Sequence, residues 1–266
     1  MLSEYSGFLI RSLRDTGNGK GNNDNSNDSS DNSDNNERRL VLSPIVESKL
    51  DEDFIVKLVS KLAKRNEGAV LVFLPGRGEI ERVLSKMRND TFLQDGSKCL
   101  LLPLYSSLPH NQQRRVFQSP PPGVTKIVLS TNVAETSVTI DDVVHVVDTG
   151  IVKESRYNAS TRIKELTTVW TSNASMTQRA GRAGRVREGF CWRLVRQDFA
   201  ENNLTDHTVP EIFRTPLDEL ILQCLLVCEN KLPLSEGGGN DDFSVDILAH
   251  MGKLIEPPSK QGIVNA

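Results

Sequence analysis

The sequence of 266 residues contains no long apolar run and no segment typical of a secreted protein. No run approaches the roughly 18 to 20 apolar residues that a membrane helix needs. The first residues, MLSEYSGFLIRSLRD, lack the long apolar core and the small-residue cleavage site of a signal peptide. We therefore expect no membrane partner and no secretion.

Cysteine is also scarce. The four cysteines, Cys99, Cys191, Cys224 and Cys228, form neither a CxxC pair nor the Cys/His spacing of a zinc site. Cys224 and Cys228 are four residues apart within a helical apolar stripe, so we interpret them as core residues. This cysteine usage predicts no metal site and a cytoplasmic or nuclear location.

The sequence has no large excess of charge of one sign. Its 32 Lys and Arg residues and 35 Asp and Glu residues give a net charge of −3, which excludes a uniformly basic protein but allows a local basic groove. Asn22–Asn36 contains only Asn, Asp and Ser, and such a segment has no apolar surface to bury. We therefore predict that residues 1–39 are a disordered, low-complexity tail.

From residue 40 to residue 202, short apolar runs alternate with amphipathic segments. Apolar runs bounded by turn residues are typical of strands buried on both faces. They occur at Ala69–Leu74, Cys99–Leu104, Lys126–Ser130, Val143–Val147 and Phe190–Val195. Helices are predicted around residues 54–62 and 80–87 and at Asn111–Gln118. Strands that alternate with helices predict an α/β fold, with a parallel sheet and flanking helices.

Two further strand-like runs, Val152–Tyr157 and Ile163–Trp170, are separated by turn residues and predict a projecting β-hairpin. A helix is predicted to begin at Ser175, because Ser175 and Gln178 have the spacing of a capping box.

The most informative segment, Gln178–Arg185, has the sequence Gln-Arg-Ala-Gly-Arg-Ala-Gly-Arg. On a helix, Gln178, Arg182 and Arg185 would share one face, and the two intervening glycines would let a backbone or a phosphate approach closely. Two guanidinium groups aimed at one point suit a polyphosphate, because each has a fixed fork of donors and a permanent charge. The alternative interpretation is a solvated basic patch.

This segment resembles motif VI of superfamily 2 helicases, QRxGRxGR. Three other segments resemble motifs of the DEAH-box RNA helicases, in the same order along the chain: Leu71–Gly76 is similar to motif IV, Leu104–Leu108 to motif IVa and Ser130–Asp141 to motif V. The resemblance extends from about residue 40 to residue 266. It implies the C-terminal RecA-like lobe of such a helicase, built on a parallel sheet.

Within this family the chain is most similar to the RNA helicase A-like (MLE-like) branch. That similarity lies in Asp141–Val144, Lys153, Glu154, Trp170 and Ser172–Ala174. Pro210–Leu217 and Ile255–Ser259 resemble the opening of the degenerate winged-helix domain that follows the lobe. The resemblance therefore implies a lobe over residues 40–202 and a partial winged-helix domain over residues 203–266.

The resemblance also implies roles in ATP hydrolysis. Arg182 and Arg185 would be the arginine fingers on the γ-phosphate, with Gln178 beside it.

For the rest of the nucleotide, Asp141 would accept hydrogen bonds from the ribose and Phe117 would stack on the adenine. Ser137 and Thr139 would couple the nucleotide state to RNA binding. From the residues alone, Phe117 could equally be a core residue of a short helix, and Ser137 and Thr139 could be turn or cap residues.

Six residues match positions that contact RNA, and the contacts implied are with the backbone rather than with the bases. They are Thr131, Asn132, Ser106, Lys153, Arg156 and Arg77. Thr131 and Asn132 follow the end of a predicted strand, where ligands of parallel sheets gather. Lys153 and Arg156 could instead be solvated charges of the hairpin.

Two motifs of a complete helicase are absent from the sequence: it has no GxxxxGK[ST] segment and no DEAH segment. The resemblance implies ATP and Mg²⁺ as cofactors, and because these two motifs are absent we expect Mg²⁺ to be held mainly by a missing N-terminal RecA-like lobe. The implied activity is ATP-dependent unwinding of RNA, with movement 3′ to 5′ along a single strand. A non-catalytic RNA-binding or regulatory module and a DNA helicase lobe stay open as alternatives.

Overall fold

The structure is a computed structural model that describes residues 50–136, 138–158, 163–185, 187–214 and 217–229, together with Gly252. The predicted tail and Ser137 lie outside these residues. The chain divides into two compact units. The described parts of the first unit fall within 50–154 and 168–208, and those of the second within 155–167 and 209–252.

The first unit is built on a five-stranded, all-parallel sheet with the strand order β2-β3-β1-β4-β7. Its strands are β1 (Ala69–Phe73), β2 (Cys99–Leu104), β3 (Thr125–Ser130), β4 (Val143–Asp148) and β7 (Phe190–Arg193). Every residue of β1, β3 and β4 is buried, as expected for strands covered on both faces. The predicted α/β fold with a parallel sheet is confirmed.

Seven α-helices and two short 3-10 helices occur among the described residues. The α-helices are α1 (Glu52–Ala63), α2 (Arg77–Met87), α3 (His110–Gln113), α4 (Val133–Thr136), α5 (Asn173–Ala180), α6 (Gln197–Asn203) and α7 (Asp218–Glu229). The 3-10 helices are Arg114–Phe117 and Glu211–Phe213. The helix predicted at Asn111–Gln118 is therefore α3 continued by a 3-10 turn.

Alternate residues of the strands pack into two apolar layers, one on each face of the sheet. Val70 and Val72 of β1 face one layer, in which α1 and α2 contribute apolar side chains such as Ile55 and Ile80. Leu71 and Phe73 face the other layer. This alternation follows from the two-residue period of a strand.

The predicted start of α5 is wrong by two residues. α5 begins at Asn173, and its N-cap is Ser172, whose side-chain oxygen accepts a hydrogen bond from the Ser175 backbone N–H at 3.2 Å. The helix ends at Ala180, and Gly181 is its C-cap. The face predicted for Gln178, Arg182 and Arg185 on one helix is therefore wrong, since both arginines lie beyond its end.

The predicted hairpin strands are present as a two-stranded sheet of β5 (Ile151–Asn158) and β6 (Ile163–Trp170). In the second unit, the Tyr157 N–H donates a hydrogen bond to the Arg214 carbonyl oxygen at 2.9 Å. Only part of residues 203–266 is described, so the winged-helix domain stays a prediction. None of the described helices has the length and apolar character to cross a membrane.

Candidate functional site

The parallel sheet separates the residues predicted for nucleotide binding from those predicted for RNA. All five strands begin at one edge of the sheet, here called the amino edge, and end at the other, the carboxyl edge. Thr139 and Asp141 lie within four residues of the start of β4, at the amino edge. Ser106 follows β2 and Thr131 follows β3, so these two lie at the carboxyl edge. The segment from residue 131 to residue 142 therefore runs from one edge to the other.

The two arginines predicted as fingers both contact this connecting segment. Arg182 donates hydrogen bonds to the carbonyl oxygen of Glu135 and, at 3.4 Å, to that of Val138. Arg185 donates to the Thr139 hydroxyl oxygen at 3.3 Å. The structure thus brings the arginines of motif VI and the segment of motif V together, although more than 40 residues separate them in sequence.

The electrostatics around these arginines favour an anion. Burial, together with the positive charge of Arg185, lowers the pKa of the Arg182 guanidinium below its usual value. Within the described residues, neither arginine forms an ion pair with a carboxylate. The charge of Glu135 raises the pKa of Arg182 but does not outweigh burial and the charge of Arg185. Two neighbouring cations that form no ion pair are suited to a phosphate, which would relieve their repulsion and accept from both forks of donors.

A turn, rather than a helix, sets the spacing between the two arginines. Gly184 has a φ of +81°, a conformation that favours glycine, and its N–H lies 3.4 Å from the Val143 carbonyl oxygen at the start of β4. Arg185 is exposed as a result, whereas Arg182 is half-buried. Gln178 is exposed on α5, and the described residues show no hydrogen bond from its side chain.

Phe117 is not a core residue, which removes one of the two interpretations that the sequence left open. Its side chain is 53% exposed, whereas the neighbouring Val116 is fully buried. Lys126, at the start of β3, donates from Nζ to the carbonyl oxygens of Val116 at 2.7 Å and Gln118 at 3.1 Å. The backbone on both sides of Phe117 is thereby fixed, and its ring is presented to solvent.

The same lysine brings Asp141 close to this aromatic segment. Lys126 Nζ lies 2.8 Å from Oδ1 of Asp142, which is the residue directly before β4. Asp141 itself is exposed. The exposed ring of Phe117 and the exposed carboxylate of Asp141 are therefore each adjacent in sequence to residues that contact the buried Lys126.

At the carboxyl edge, Thr131 and Asn132 lie between the end of β3 and the start of α4. The Thr131 N–H donates to the Leu104 carbonyl oxygen at 3.1 Å, which ties the ends of β2 and β3 together. Asn132 is exposed, and its carbonyl oxygen accepts from the Glu135 N–H at 2.9 Å. Ser106 is exposed in the turn after β2, and its carbonyl oxygen accepts from the Gln113 side chain at 3.3 Å.

Two of the predicted RNA-binding cations already have acidic partners. Arg77 donates from Nε to Glu81 at 2.6 Å, a contact that raises the pKa of its guanidinium. Lys153 is only 22% exposed and donates to both carboxylate oxygens of Glu79, at 3.0 and 3.1 Å. Lys153 is thus a paired residue rather than a solvated charge. Arg156 is exposed.

Sequence reasoning missed two buried cations that organise the site, Lys126 and Arg179. Each has a side chain that is only 1% exposed. Lys126 directly precedes the apolar residues Ile127, Val128 and Leu129 of β3, and a charge beside such a run was the available signal. Arg179 is a member of the Gln178–Arg185 segment, but its direction into the core could not be read from a spacing that assumed a longer helix. Among the described residues, no group of three or more His, Cys, Asp or Glu side chains could hold a metal.

The all-parallel sheet and the pair of arginines at its amino edge are typical of a RecA-like lobe. Residues 52–187 match the family described as "Helicase conserved C-terminal domain", and the chain belongs to that family.

Its relatives include DExH-box helicases from plants and animals. The chain is 39% identical over 226 residues to "DExH-box ATP-dependent RNA helicase DExH2" of Arabidopsis thaliana, covering 85% of this chain and 13% of the relative. It is 47% identical over 175 residues to "ATP-dependent RNA helicase DHX30" of Homo sapiens, covering 65% of this chain and 14% of the relative. The chain thus spans about one seventh of the length of these curated relatives.

A solved structure shows the same fold. The Escherichia coli DEAH/RHA helicase HrpB superimposes with a TM-score of 0.65 at 33% identity, covering 82% of this chain and 26% of HrpB. The predicted resemblance to the DEAH-box helicases and the RecA-like fold are therefore confirmed.

Proposed function

We propose that this chain acts as the C-terminal RecA-like lobe of an ATP-dependent RNA helicase. It binds ATP on the side of Phe117, Asp141 and the finger arginines, and it binds the backbone of single-stranded RNA at the carboxyl edge. The relatives' names and the HrpB superposition support this proposal. The proposal also includes movement along RNA in the 3′ to 5′ direction, separation of RNA strands by the hairpin, and a cytoplasmic or nuclear location.

The observation that carries the proposal is the arginine pair on the connecting segment. Arg182 and Arg185 approach the same loop from motif VI, and neither has an acidic partner among the described residues. In phosphoryl transfer, charge that develops on the phosphate oxygens is stabilised by such arginines, an effect worth about 10³ to 10⁵ in rate. Gln178 lies in the last turn of α5, four residues before Arg182 in sequence, and completes the proposed catalytic group.

The rest of the nucleotide fits the exposed groups near Lys126. Stacking on Phe117 tolerates any base, because every base has an apolar face. Asp141 accepts hydrogen bonds from the ribose hydroxyls, and Thr139 joins Arg185 to the connecting segment. We propose that Ser137, which lies in the same connecting segment by sequence, belongs to the nucleotide-binding residues as well.

The RNA side uses neutral groups more than free cations. Thr131, Asn132 and Ser106 offer hydroxyl, amide and backbone groups of the kind that bind phosphates without reading sequence. Lys153 and Arg77 complete this side, and their contact with phosphate would require release or sharing of Glu79 and Glu81. Arg156, a residue of the second unit, is proposed to contact RNA as well.

A second RecA-like lobe completes the proposed ATP site. This sequence contains neither a P-loop nor a DEAH segment. We propose that the other lobe binds the β- and γ-phosphates and holds Mg²⁺, which neutralises charge on the phosphates when it is bound. The finger arginines then act across the cleft between the lobes.

The finger assignment is tested by Arg182→Ala and Arg185→Ala in a longer protein that contains both lobes. We expect each variant to lower kcat for RNA-stimulated ATP hydrolysis by about 10³ or more, since transition-state charge loses its partner. RNA affinity should change less than about threefold.

Arg88→Ala is the matched control, because Arg88 is an exposed arginine at the end of α2. It should leave the rate unchanged. An equal loss of RNA binding in the finger variants would contradict the assignment. Stimulation by DNA as strong as by RNA of the same sequence would favour the DNA helicase alternative.

A further inference from the structure

The most completely buried charge in the motif VI segment has no role in the function proposed above. Arg179 on α5 is 1% exposed, and its Nε donates to Oε2 of Glu135 at 2.9 Å. Its other branch donates from one terminal nitrogen to Oδ1 of Asp148, also at 2.9 Å. The guanidinium lies over the ring of Phe73, 5.0 Å from its centroid. One cation thus joins two carboxylates and the last residue of β1.

Each partner of Arg179 belongs to a different segment of the lobe. Glu135 lies on α4, and its own backbone carbonyl oxygen accepts a hydrogen bond from Arg182. Asp148 is the last residue of β4, and its Oδ1 also accepts from the Gly150 N–H at 2.8 Å, directly before β5. Arg179 therefore lies between the support of a finger arginine and the start of the hairpin strand.

The charges of Asp148 and Glu135 stabilise the buried cation of Arg179. Burial alone would lower the pKa of the Arg179 guanidinium, but the charges of Asp148 and Glu135 outweigh it and raise the pKa above its usual value. Removing one partner from such a group leaves an uncompensated buried charge.

We propose that Arg179 is a positioning residue for the finger arginine Arg182. By fixing the Glu135 side chain, it fixes α4 and thereby the Glu135 carbonyl oxygen to which Arg182 donates. Through Asp148 and Gly150 it ties the same support to the start of β5, so that the nucleotide-binding segment and the hairpin base share one anchor. This inference rests on the proposed function, because it assigns Arg182 a task at the phosphate.

A purely structural ion pair would give a different pattern of effects. It would change the stability of the lobe and leave the rate per folded molecule unaltered. A positioning residue acts on turnover, because an ångström of misplacement near the reacting group can cost about 10²-fold in rate.

The test uses Arg179→Lys, Glu135→Gln and the double variant in a longer protein that contains both lobes. Lysine keeps the charge but cannot reach both carboxylates as a fork, and glutamine keeps the shape of Glu135 without its charge. We expect Arg179→Lys to lower kcat for ATP hydrolysis at least about tenfold, with KM for ATP and RNA affinity within about threefold. The double variant should be little worse than Arg179→Lys, because both changes weaken the same contact.

Arg82→Lys is the matched control. Arg82 also joins two carboxylates, Glu52 at 2.7 Å and Glu79 at 3.1 Å, but its side chain is 57% exposed and lies on α2. It should leave kcat unchanged. An unaltered kcat in folded Arg179→Lys, or losses in the two single variants that multiply in the double variant, would overturn the proposal.

A second readout does not depend on ATP hydrolysis. In the wild-type protein and in Arg179→Lys, amide hydrogen exchange is compared at α4 and at Gly150. We expect faster exchange at these two places while β1 and β3 keep their protection. Unchanged exchange at both places would also overturn the proposal. Failure of the wild-type protein to hydrolyse ATP would instead contradict the proposed function, and exchange would still report on the anchor.

Discussion

At Lys126 and Arg179 the chain places a positive charge inside the lobe, and the two charges are compensated in different ways. Lys126 Nζ donates to two backbone carbonyl oxygens and pairs with the half-exposed Asp142. Arg179 pairs with two buried carboxylates. Buried charges require such partners, because the cost of desolvation is otherwise several kcal/mol. In both cases, the contacts of the buried cation hold in place a segment that contains candidate ligand-binding residues.

Phe117 provides a prediction at the same scale. Phe117→Ala in the two-lobe protein should raise KM for ATP about tenfold, because loss of one stacked base costs about 1 to 3 kcal/mol. Thermal stability should change little, since the ring is 53% exposed. Steady-state kinetics with ATP and thermal unfolding of the same sample check both expectations.

Phe117→Tyr is the control for this substitution, because it keeps the ring and should keep KM. An alanine variant with unchanged KM, or one that unfolds much more easily, would contradict an exposed stacking role for Phe117.

Among the elements, the sheet was predictable and the loop with the finger arginines was not. Continuous apolar runs such as Val143–Val147 are specific for buried parallel strands, so the predicted strands lie within two residues of the observed ones. α5 was misplaced because Ser172 and Ser175 are both possible caps, and Ser175 has the more familiar pattern. The partners of Arg182, Glu135 and Val138, are more than 40 residues away in sequence, and local spacing contains no information about them.

The turn into β5 supports a prediction at the element scale. Gly150 has a φ of +71°, and an added Cβ would overlap Cγ2 of Val195. Gly150→Ala should therefore lower the free energy of unfolding by about 1 to 3 kcal/mol, because strain and overlap act together. Chemical denaturation of the chain measures this change.

Gly96 is the matched control, since an added Cβ at that position has no neighbour within 4 Å. Gly96→Ala should leave stability within about 0.5 kcal/mol of wild type. Equal effects of the two substitutions would show that the backbone at Gly150 does not need glycine.

Within the first unit, the parallel sheet keeps the two candidate sites on opposite edges, and the segment from residue 131 to residue 142 connects them. Residues 131–142 begin at the RNA side, carry the contacts to both finger arginines and end beside Asp141. The resemblance to helicase motifs predicted which hydroxyl, amide and arginine groups belong to each candidate site. That the sheet separates the two sites follows only from where each strand begins and ends.

The measurement that tests the central claim most directly is the rate of RNA-stimulated ATP hydrolysis by the 266-residue chain, compared with a longer protein that also contains a P-loop and a DEAH segment. The claim is that this lobe supplies the fingers and part of the RNA site but not the phosphate cradle. We predict that the chain alone hydrolyses ATP no faster than buffer without protein, and that RNA strongly stimulates ATP hydrolysis by the longer protein. Robust turnover by the pure chain would contradict the claim.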